Sequence, residues 1–236
     1  MTDSPAPADP GETALQFDVD GAPVSALSGR PPGADATVVV AHGAGTGLEH
    51  PFLTGFTRAL RDAGLATLRF NFPYREQGRR MPGRPAPAIA AWRAAVAAAE
   101  HLAAEAGSAG EPIWASGKSY GGRMASMAVA EGMPAAGLVF VGYPLHPPGK
   151  PDRPRDEHLI GLTLPMLFLQ GTNDPFAIPN EQLADATARI GPNAALEWIE
   201  GGGHSFEVKG RKRPADEVGA GLAPAVAAFV RAHAER

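Results

Sequence analysis

Residues 117–122, GKSYGG, place a serine between two glycines in the pattern Gly-x-Ser-x-Gly. Ser119 follows the apolar run PIWA and precedes a segment whose apolar residues have helical spacing. A sharp turn from a strand into a helix exposes such a serine as a nucleophile, and the glycines leave room for the returning helix. A glycine-rich turn that happens to hold a serine gives the same letters. The assignment of Ser119 therefore depends on partner residues elsewhere in the chain.

A serine hydroxyl is a poor nucleophile at neutral pH and needs a general base. The chain has seven histidines. His204 lies in EGGGHSF, just after a predicted strand, where three glycines free the backbone to present an imidazole at the edge of the sheet. His146, in YPLHPPG, follows another predicted strand and is the rival base. The sequence favours His204 and leaves His146 open.

The base needs a carboxylate that orients it and stabilises its protonated form. Asp174 lies in GTNDPF, just past a predicted strand, although Asn-Asp-Pro is also ordinary turn chemistry. The chain order Ser119, Asp174, His204 is the one expected for a nucleophile on a strand-to-helix turn of this kind. Asp185 fits less well because it lies on a predicted helix. The sequence predicts a Ser-His-Asp triad.

Acyl transfer puts negative charge on the former carbonyl oxygen, which backbone N–H groups stabilise. The residue after the nucleophile, Tyr120, supplies one such donor. The loop AHGAGTG, 41–47, follows the predicted strand TVVV and supplies the other, with Ala44 preferred over Gly45. His42 is expected to brace this loop. A phosphate-binding loop is disfavoured because neither glycine-rich segment has the glycine and lysine spacing of that motif.

The elements that must position these residues follow from the apolar pattern. Continuous apolar runs predict buried parallel strands at 37–42, 66–72, 112–116, 137–142, 165–171 and 195–200. Helices are predicted at 52–63, at 86–105, at 119–131, after Asn180 as a cap, and along a final stripe of Leu222, Val226, Phe229 and Val230. The alternation of strands and helices predicts an α/β fold with a doubly wound, mostly parallel sheet. The segment ALQFDVDG alternates apolar and polar residues, and APVSALSG follows after a turn, which predicts an N-terminal antiparallel hairpin. We expect one domain, 12–236, after a disordered tail, 1–11.

Composition excludes several classes of protein. The net charge of −4 gives no reason to expect a nucleic-acid partner, and the absence of cysteine excludes disulfides, thiolate catalysis and cysteine-bound metals. The first residues, MTDSPAPADPGE, do not resemble a secretory signal, and no apolar run approaches the roughly 20 residues that span a bilayer. We expect a cytoplasmic protein that takes a small-molecule acyl substrate, without cofactor, metal or membrane. Its oligomeric state stays open.

The motifs AHGAGTG, GKSYGG, GTNDPF and GGGHSF, in this order, make the chain similar to the α/β-hydrolase superfamily from about residue 13 onward. Within it the chain resembles small, mostly bacterial hydrolases related to dienelactone hydrolase, a group that includes a testis-expressed protein and a chromatin-complex subunit. The segment YPLHPPGKP, 143–151, fits this group. The resemblance implies hydrolase chemistry without naming a substrate. Dienelactone hydrolases use a cysteine nucleophile, whereas this chain has a serine at that position and no cysteine. The resemblance therefore does not imply a lactone substrate for this chain.

The resulting interpretation is a serine hydrolase that cleaves an ester, thioester or amide through an acyl-enzyme. Only residues 143–164 separate two predicted strands at the point where related enzymes insert a large lid. An open pocket and a small, accessible substrate are therefore expected. Two alternatives stay open: a non-catalytic interaction domain built on the same fold, and a peptidase.

The loop PYREQGRRMPGRP, 73–85, carries four arginines against one glutamate and begins at the carboxyl end of a predicted strand. Arg79 and Arg80, together with His146, are the candidate substrate-binding residues. Arginine binds carboxylate and phosphate groups through its planar fork. A solvated basic loop that serves solubility is the competing interpretation.

If the basic loop attracts substrates, an anionic ester has a higher kcat/KM than a matched neutral ester. This advantage shrinks as salt rises and is lost in Arg79→Ala/Arg80→Ala, because both changes weaken a positive rim. Rates on both esters at low and high ionic strength measure the effect. An advantage that salt and the double substitution leave unchanged would exclude the loop from substrate choice.

Overall fold

The computed structural model describes residue 9 and residues 11–234, and within them eight strands form one sheet. The strands are β1 (Thr13–Val19), β2 (Ala22–Gly29), β3 (Thr37–Ala41), β4 (Ala66–Phe70), β5 (Ile113–Lys118), β6 (Gly137–Val141), β7 (Met166–Gly171) and β8 (Ala194–Ile199). Their order across the sheet is β1-β2-β4-β3-β5-β6-β7-β8. The β1–β2 and β2–β4 pairs are antiparallel, and the other neighbours are parallel.

Helices lie in most of the connections from β3 onward and after β8. They are α1 (Pro51–Asp62), α2 (Pro73–Glu76), α3 (Ala86–Glu105), α4 (Tyr120–Ala130), α5 (Asn180–Ile190), α6 (Ala215–Ala220) and α7 (Ala223–Ala234), with a 3₁₀ turn at Glu157–Leu159. None of the helices in residues 11–234 combines the length and the apolar character that crossing a bilayer requires. The short α2 and α6 are not predicted by the sequence, because four and six residues are too few to show helical periodicity.

The predicted fold class is confirmed, including the N-terminal hairpin and the order of strands and helices. One local prediction is wrong. Asn180 does not cap α5, because the extended Pro179 precedes the helix and Asn180 is already its first residue. The Asn180 side chain instead donates from Nδ2 to the carbonyl oxygen of Thr172 at 3.1 Å. This bond ties the start of α5 to the loop that follows β7.

The predicted disordered tail, 1–11, falls mostly outside the described residues, since positions 1–8 and 10 are not part of them. Asp9 is described, and its Oδ2 lies 2.7 Å from a guanidinium nitrogen of Arg61. Glu12 lies 2.7 Å from the same guanidinium and also pairs with Arg69. The chain is therefore held to α1 and β4 directly before β1 begins.

Two apolar clusters cover the two faces of the sheet. Helices α3, α4 and α5 pack on one face, and α1, α6 and α7 pack on the other. Successive residues of a strand point to opposite faces. Along β5, Ile113 and Ala115 join the first cluster, and Trp114 joins the second. Lys118 has the same parity as Trp114, so its side chain enters the face covered by α1, α6 and α7.

The α1 and α6 helices touch through glycine. A Cβ atom at Gly55 of α1 would lie 2.0 Å from the carbonyl oxygen of Asp216. A Cβ atom at Gly219 of α6 would lie 2.1 Å from the carbonyl oxygen of Phe52. Both neighbours are backbone and cannot turn away. These two glycines therefore set the distance between the helices that carry Phe52 and Val218.

We expect Gly55→Ala to lower the free energy of unfolding by roughly 1–3 kcal/mol, because overlap with fixed backbone outweighs the better helix propensity of alanine. Urea unfolding measures the change. Gly161→Ala is the matched control, since a Cβ atom there meets open space. Its effect should stay within about 0.5 kcal/mol. Equal losses in the two variants would contradict the close approach of α1 and α6.

Candidate active site

Ser119 occupies the sharp turn between β5 and α4, with φ 51° and ψ −112°. A positive φ is rare and strained for a residue other than glycine. The glycines on either side of Ser119 are packed against backbone. A Cβ atom at Gly117 would lie 2.3 Å from the amide nitrogen of Gly122, and a Cβ atom at Gly121 would lie 2.6 Å from the carbonyl oxygen of Ala41. Neither position accepts a side chain. The turn holds the serine at the carboxyl end of the central strand.

The structure brings Ser119, His204 and Asp174 together. Nε2 of His204 lies 2.8 Å from Oγ of Ser119, and Nδ1 lies 2.7 Å from Oδ2 of Asp174. Since the carboxylate only accepts, Nδ1–H donates to Asp174 and Nε2 accepts the proton of the Ser119 hydroxyl. The three residues follow β5, β7 and β8, so three strand ends supply one hydrogen-bonded chain.

Asp174 is fully buried and is held by donors that the sequence did not single out. Nε2 of Gln170 donates to Oδ2 at 2.6 Å, and the N–H of Phe176 donates to Oδ1 at 2.9 Å. Oε1 of Gln170 in turn accepts the N–H of Tyr143 at 2.7 Å. The signal for Gln170 was its polar side chain inside the apolar run PMLFLQG.

The pKa of His204 is lowered from its ordinary value of 6.5. Burial is the largest cause, and the positive charge of Lys118 acts in the same direction, while the hydrogen bond to Asp174 opposes both. The ring lies at 4.3 Å, centroid to centroid, from that of Phe176. His204 is therefore neutral near pH 7, the state that accepts a proton.

The backbone N–H groups of Tyr120 and Ala44 are the predicted oxyanion donors, and this role stays a prediction. Tyr120 is the first residue of α4, and the first N–H groups of a helix have no partner within it. Ala44 is exposed and lines the cavity above Ser119, whereas Gly45, with φ 81°, bends the loop and does not line it. The His42 ring braces this loop: Nδ1 lies 2.8 Å from the carbonyl oxygen of Gly43, and Nε2 accepts the N–H of Phe72 at 3.1 Å.

A cavity of about 450 Å³ opens at Ser119 and His204. Its apolar walls come from Phe52, Leu53, Met81, Phe176, Ala215 and Val218, and its polar lining includes His50 and Lys118. Nδ1 of His50 accepts the N–H of Phe52 at the start of α1, at 3.3 Å. Burial and the charge of Lys118 lower the pKa of His50. The cavity is thus lined mainly by apolar side chains, with several polar and charged groups among them.

The other candidates lie outside the lining of this cavity. His146 is fully buried. Its ring Nδ1 lies 2.9 Å from the carbonyl oxygen of Pro147, and its backbone N–H donates to the carbonyl oxygen of Phe176 at 3.0 Å. Arg79 and Arg80 are exposed. Their loop contributes Met81 to the cavity instead. Contact of His146, Arg79 or Arg80 with substrate stays a prediction.

Within the described residues, no group of three or more histidine or carboxylate side chains is arranged to hold a metal.

The comparisons with known proteins agree with this architecture. A family model described as an alpha/beta hydrolase domain matches residues 34–231. The dienelactone hydrolase of Anabaena variabilis is 21% identical, with a TM-score of 0.74, and the match covers 94% of this chain and 97% of that one.

Two further solved structures share the fold. XC6422 of Xanthomonas campestris, described as a serine hydrolase without a lid, is 21% identical over 94% of each chain, with a TM-score of 0.69. Est1E of Butyrivibrio proteoclasticus, solved with ferulic acid, is 19% identical with a TM-score of 0.73, and the match covers 94% of this chain and 100% of that one. The likeness to a testis-expressed protein and a chromatin-complex subunit stays a prediction.

The bonds of Gln170 generate a stability prediction. Gln170→Met keeps the shape but leaves the N–H of Tyr143 without its acceptor and removes one donor from Asp174. We expect the free energy of unfolding to fall by roughly 1–3 kcal/mol, the cost of a buried polar group left unpaired. Urea unfolding measures it, with Gln16→Met on the exposed side of β1 as the control. A loss no larger than that of the control would show that the buried amide adds nothing.

Proposed function

Since the chain belongs to the alpha/beta hydrolase domain family, whose model matches residues 34–231, we propose that it is a serine hydrolase of the carboxylesterase type. Ser119 is the nucleophile, His204 the general base and Asp174 the residue that orients the base. The observation that carries the proposal is the unbroken hydrogen-bonded chain from Asp174 through His204 to Ser119, with bonds of 2.7 and 2.8 Å.

In the proposed mechanism Oγ of Ser119 attacks the acyl carbon while its proton passes to Nε2 of His204. Asp174 stabilises the imidazolium through Nδ1–H. The N–H groups of Tyr120 and Ala44 stabilise the oxyanion. The tetrahedral intermediate collapses as Nε2–H protonates the leaving group, and an acyl-enzyme remains. Water then attacks the ester carbon, gives its proton to His204, and the carboxylic acid leaves as Ser119 recovers its proton.

The cavity supports a small or medium-sized acyl substrate. Its volume of about 450 Å³ is in the range of small-molecule sites, and its walls are mainly apolar. Only residues 142–165 lie between β6 and β7 at the place of a lid. Est1E, with a similar fold, is recorded with ferulic acid bound. We propose an ester of a small acid as the substrate. Thioesters and amides need the same reaction steps and differ in the leaving group.

A fluorophosphonate probe tests the proposal. We expect it to label Ser119, and we expect Ser119→Ala to abolish labelling and ester hydrolysis without unfolding the protein. His204→Ala should lower kcat roughly 10³-fold or more, because members of a triad act as a unit. His146→Ala should cost far less, since its ring bonds the backbone of Pro147 rather than Ser119.

Mass spectrometry of the labelled peptide identifies the serine, and circular dichroism checks that each variant is folded. Labelling of another serine, or a greater loss in His146→Ala than in His204→Ala, would overturn the assigned roles. No labelling and no hydrolysis in the wild-type protein, over a panel of acyl lengths, would favour a non-catalytic interaction domain. Turnover of peptides but not of esters would favour a peptidase.

A further inference from the structure

Lys118, the residue before the nucleophile, has no part in the mechanism above, and its position is unusual. It ends β5, and the parity of the strand directs its side chain into the apolar face that includes Trp114 and Phe206. Its Cγ atom would lie 3.5 Å from a Cβ atom at Gly43. The stem of the lysine thus runs beneath the loop that carries Ala44.

The ammonium group has a small set of partners. Nζ donates to the carbonyl oxygen of His204 at 2.6 Å and lies 5.7 Å from the ring centroid of Phe206. Burial of an ammonium costs free energy unless it is paired. Burial lowers the pKa of Lys118 from 10.5 to about 8, against the opposing effect of the Asp174 charge. Lys118 therefore keeps its positive charge at neutral pH.

The segment that carries His204 is held in place by contacts of its own, next to Lys118. Phe206 adopts a left-handed φ of 63°, is buried, and stacks on Phe52 of α1 with ring centroids 6.1 Å apart. The N–H of Gly203 donates to the carbonyl oxygen of Glu207 at 3.1 Å. A backbone hydrogen bond thus joins the two sides of the loop. The hydrogen bond from Lys118 to His204 connects this loop to β5, the strand that ends directly before Ser119.

We propose that Lys118 is a positioning residue of the active site, whose ammonium group fixes the main chain of His204 against the nucleophile turn and acts electrostatically on the His204 ring. This inference rests on the proposed function. Lys118 acts through His204 and is not required to touch the substrate. It gives the nucleophile and the base a second link, independent of the hydrogen bond between their reactive atoms.

The sign of the electrostatic effect follows from the charges around His204. Lys118 acts on it from β5 and Asp174 from the loop after β7. His50, at the start of α1, and Glu207, on the loop of His204 itself, line the same cavity. The Lys118 charge disfavours the imidazolium, so removing that charge raises the pKa of His204. The acid limb of kcat/KM then moves to higher pH. A lysine that only filled space would leave this limb where it is.

The test compares Lys118→Met, which removes charge and donor, with Lys118→Gln, which removes the charge and keeps an N–H donor. Lys212→Met is the matched control, because it makes the same change in net charge at an exposed site. The pH profile of kcat/KM on a neutral short-chain ester is measured for each. The titration of His204 is followed by NMR, with the resonance assigned through His204→Ala, so this readout does not depend on turnover.

We expect both Lys118 variants to raise the NMR pKa of His204 and the acid limb by about half to one unit. We expect kcat to fall roughly tenfold in Lys118→Met and less in Lys118→Gln, with KM nearly unchanged, because a displaced base slows the chemical step. Lys212→Met should match the wild type. If Lys118→Met does not fold, Lys118→Gln makes the same comparison of His204 pKa.

An unchanged His204 pKa in the Lys118 variants, or an equal shift in Lys212→Met, would overturn the inference. In that case fluorophosphonate labelling of Ser119 in the wild-type protein would still stand, and only the role of Lys118 would be lost. A wild-type protein that neither reacts with the probe nor hydrolyses esters would overturn the proposed function and this inference together.

Discussion

The close packing of backbone at Gly117 and Gly121, on either side of Ser119, determines where the site forms. Neither position has room for a side chain. A Cβ atom at Gly117 or Gly121 would meet backbone of α4 or β3 at 2.3 and 2.6 Å. The helix can therefore begin directly at the strand end, and the one residue between them takes a positive φ of 51°. That residue is Ser119. The strain at one residue places its hydroxyl where the ends of β7 and β8 can reach it.

The second constraint is the buried carboxylate of Asp174, which is fully excluded from solvent. A buried charge is tolerated when its oxygens are hydrogen-bonded. Here Gln170, the N–H of Phe176 and Nδ1 of His204 supply the donors, at 2.6 to 2.9 Å. Gln170 also accepts the N–H of Tyr143, so the network continues from β7 to the end of β6. The orientation of His204 thus depends in part on Gln170 and Tyr143, which do not line the cavity.

These contacts explain which parts of the molecule the sequence predicts. The strands, the antiparallel hairpin and the positions of Ser119, Asp174 and His204 after strand ends are carried by local patterns: apolar runs, glycine spacing and chain order. Gln170 and Lys118 are different, since their partners lie on other strands and loops. The failed cap at Asn180 has a local cause, because the extended Pro179 already occupies the position before the helix.

Loop conformation marks the boundary of what the sequence predicts. Composition alone drew attention to the arginines of the segment 73–85, but the fold of that loop turns Met81 toward the cavity and leaves Arg79 and Arg80 exposed outside its lining. Alternation in a strand tells which residues share a face, and no comparable rule exists for an irregular loop. The charge of this loop therefore pointed to Arg79 and Arg80, whereas the side chain of the loop that lines the cavity is Met81.

In the proposed mechanism, the charges near Ser119 act on both products of the first proton transfer. The oxyanion would form beside the start of α4, where the unpaired N–H of Tyr120 and the helix dipole favour negative charge. The ammonium of Lys118 adds to that field, and the histidines near it, His50 and His204, have lowered pKa values and stay neutral. The same field opposes the imidazolium. The buried Asp174 counters this at Nδ1, so the site separates the two charges by giving each its own partner.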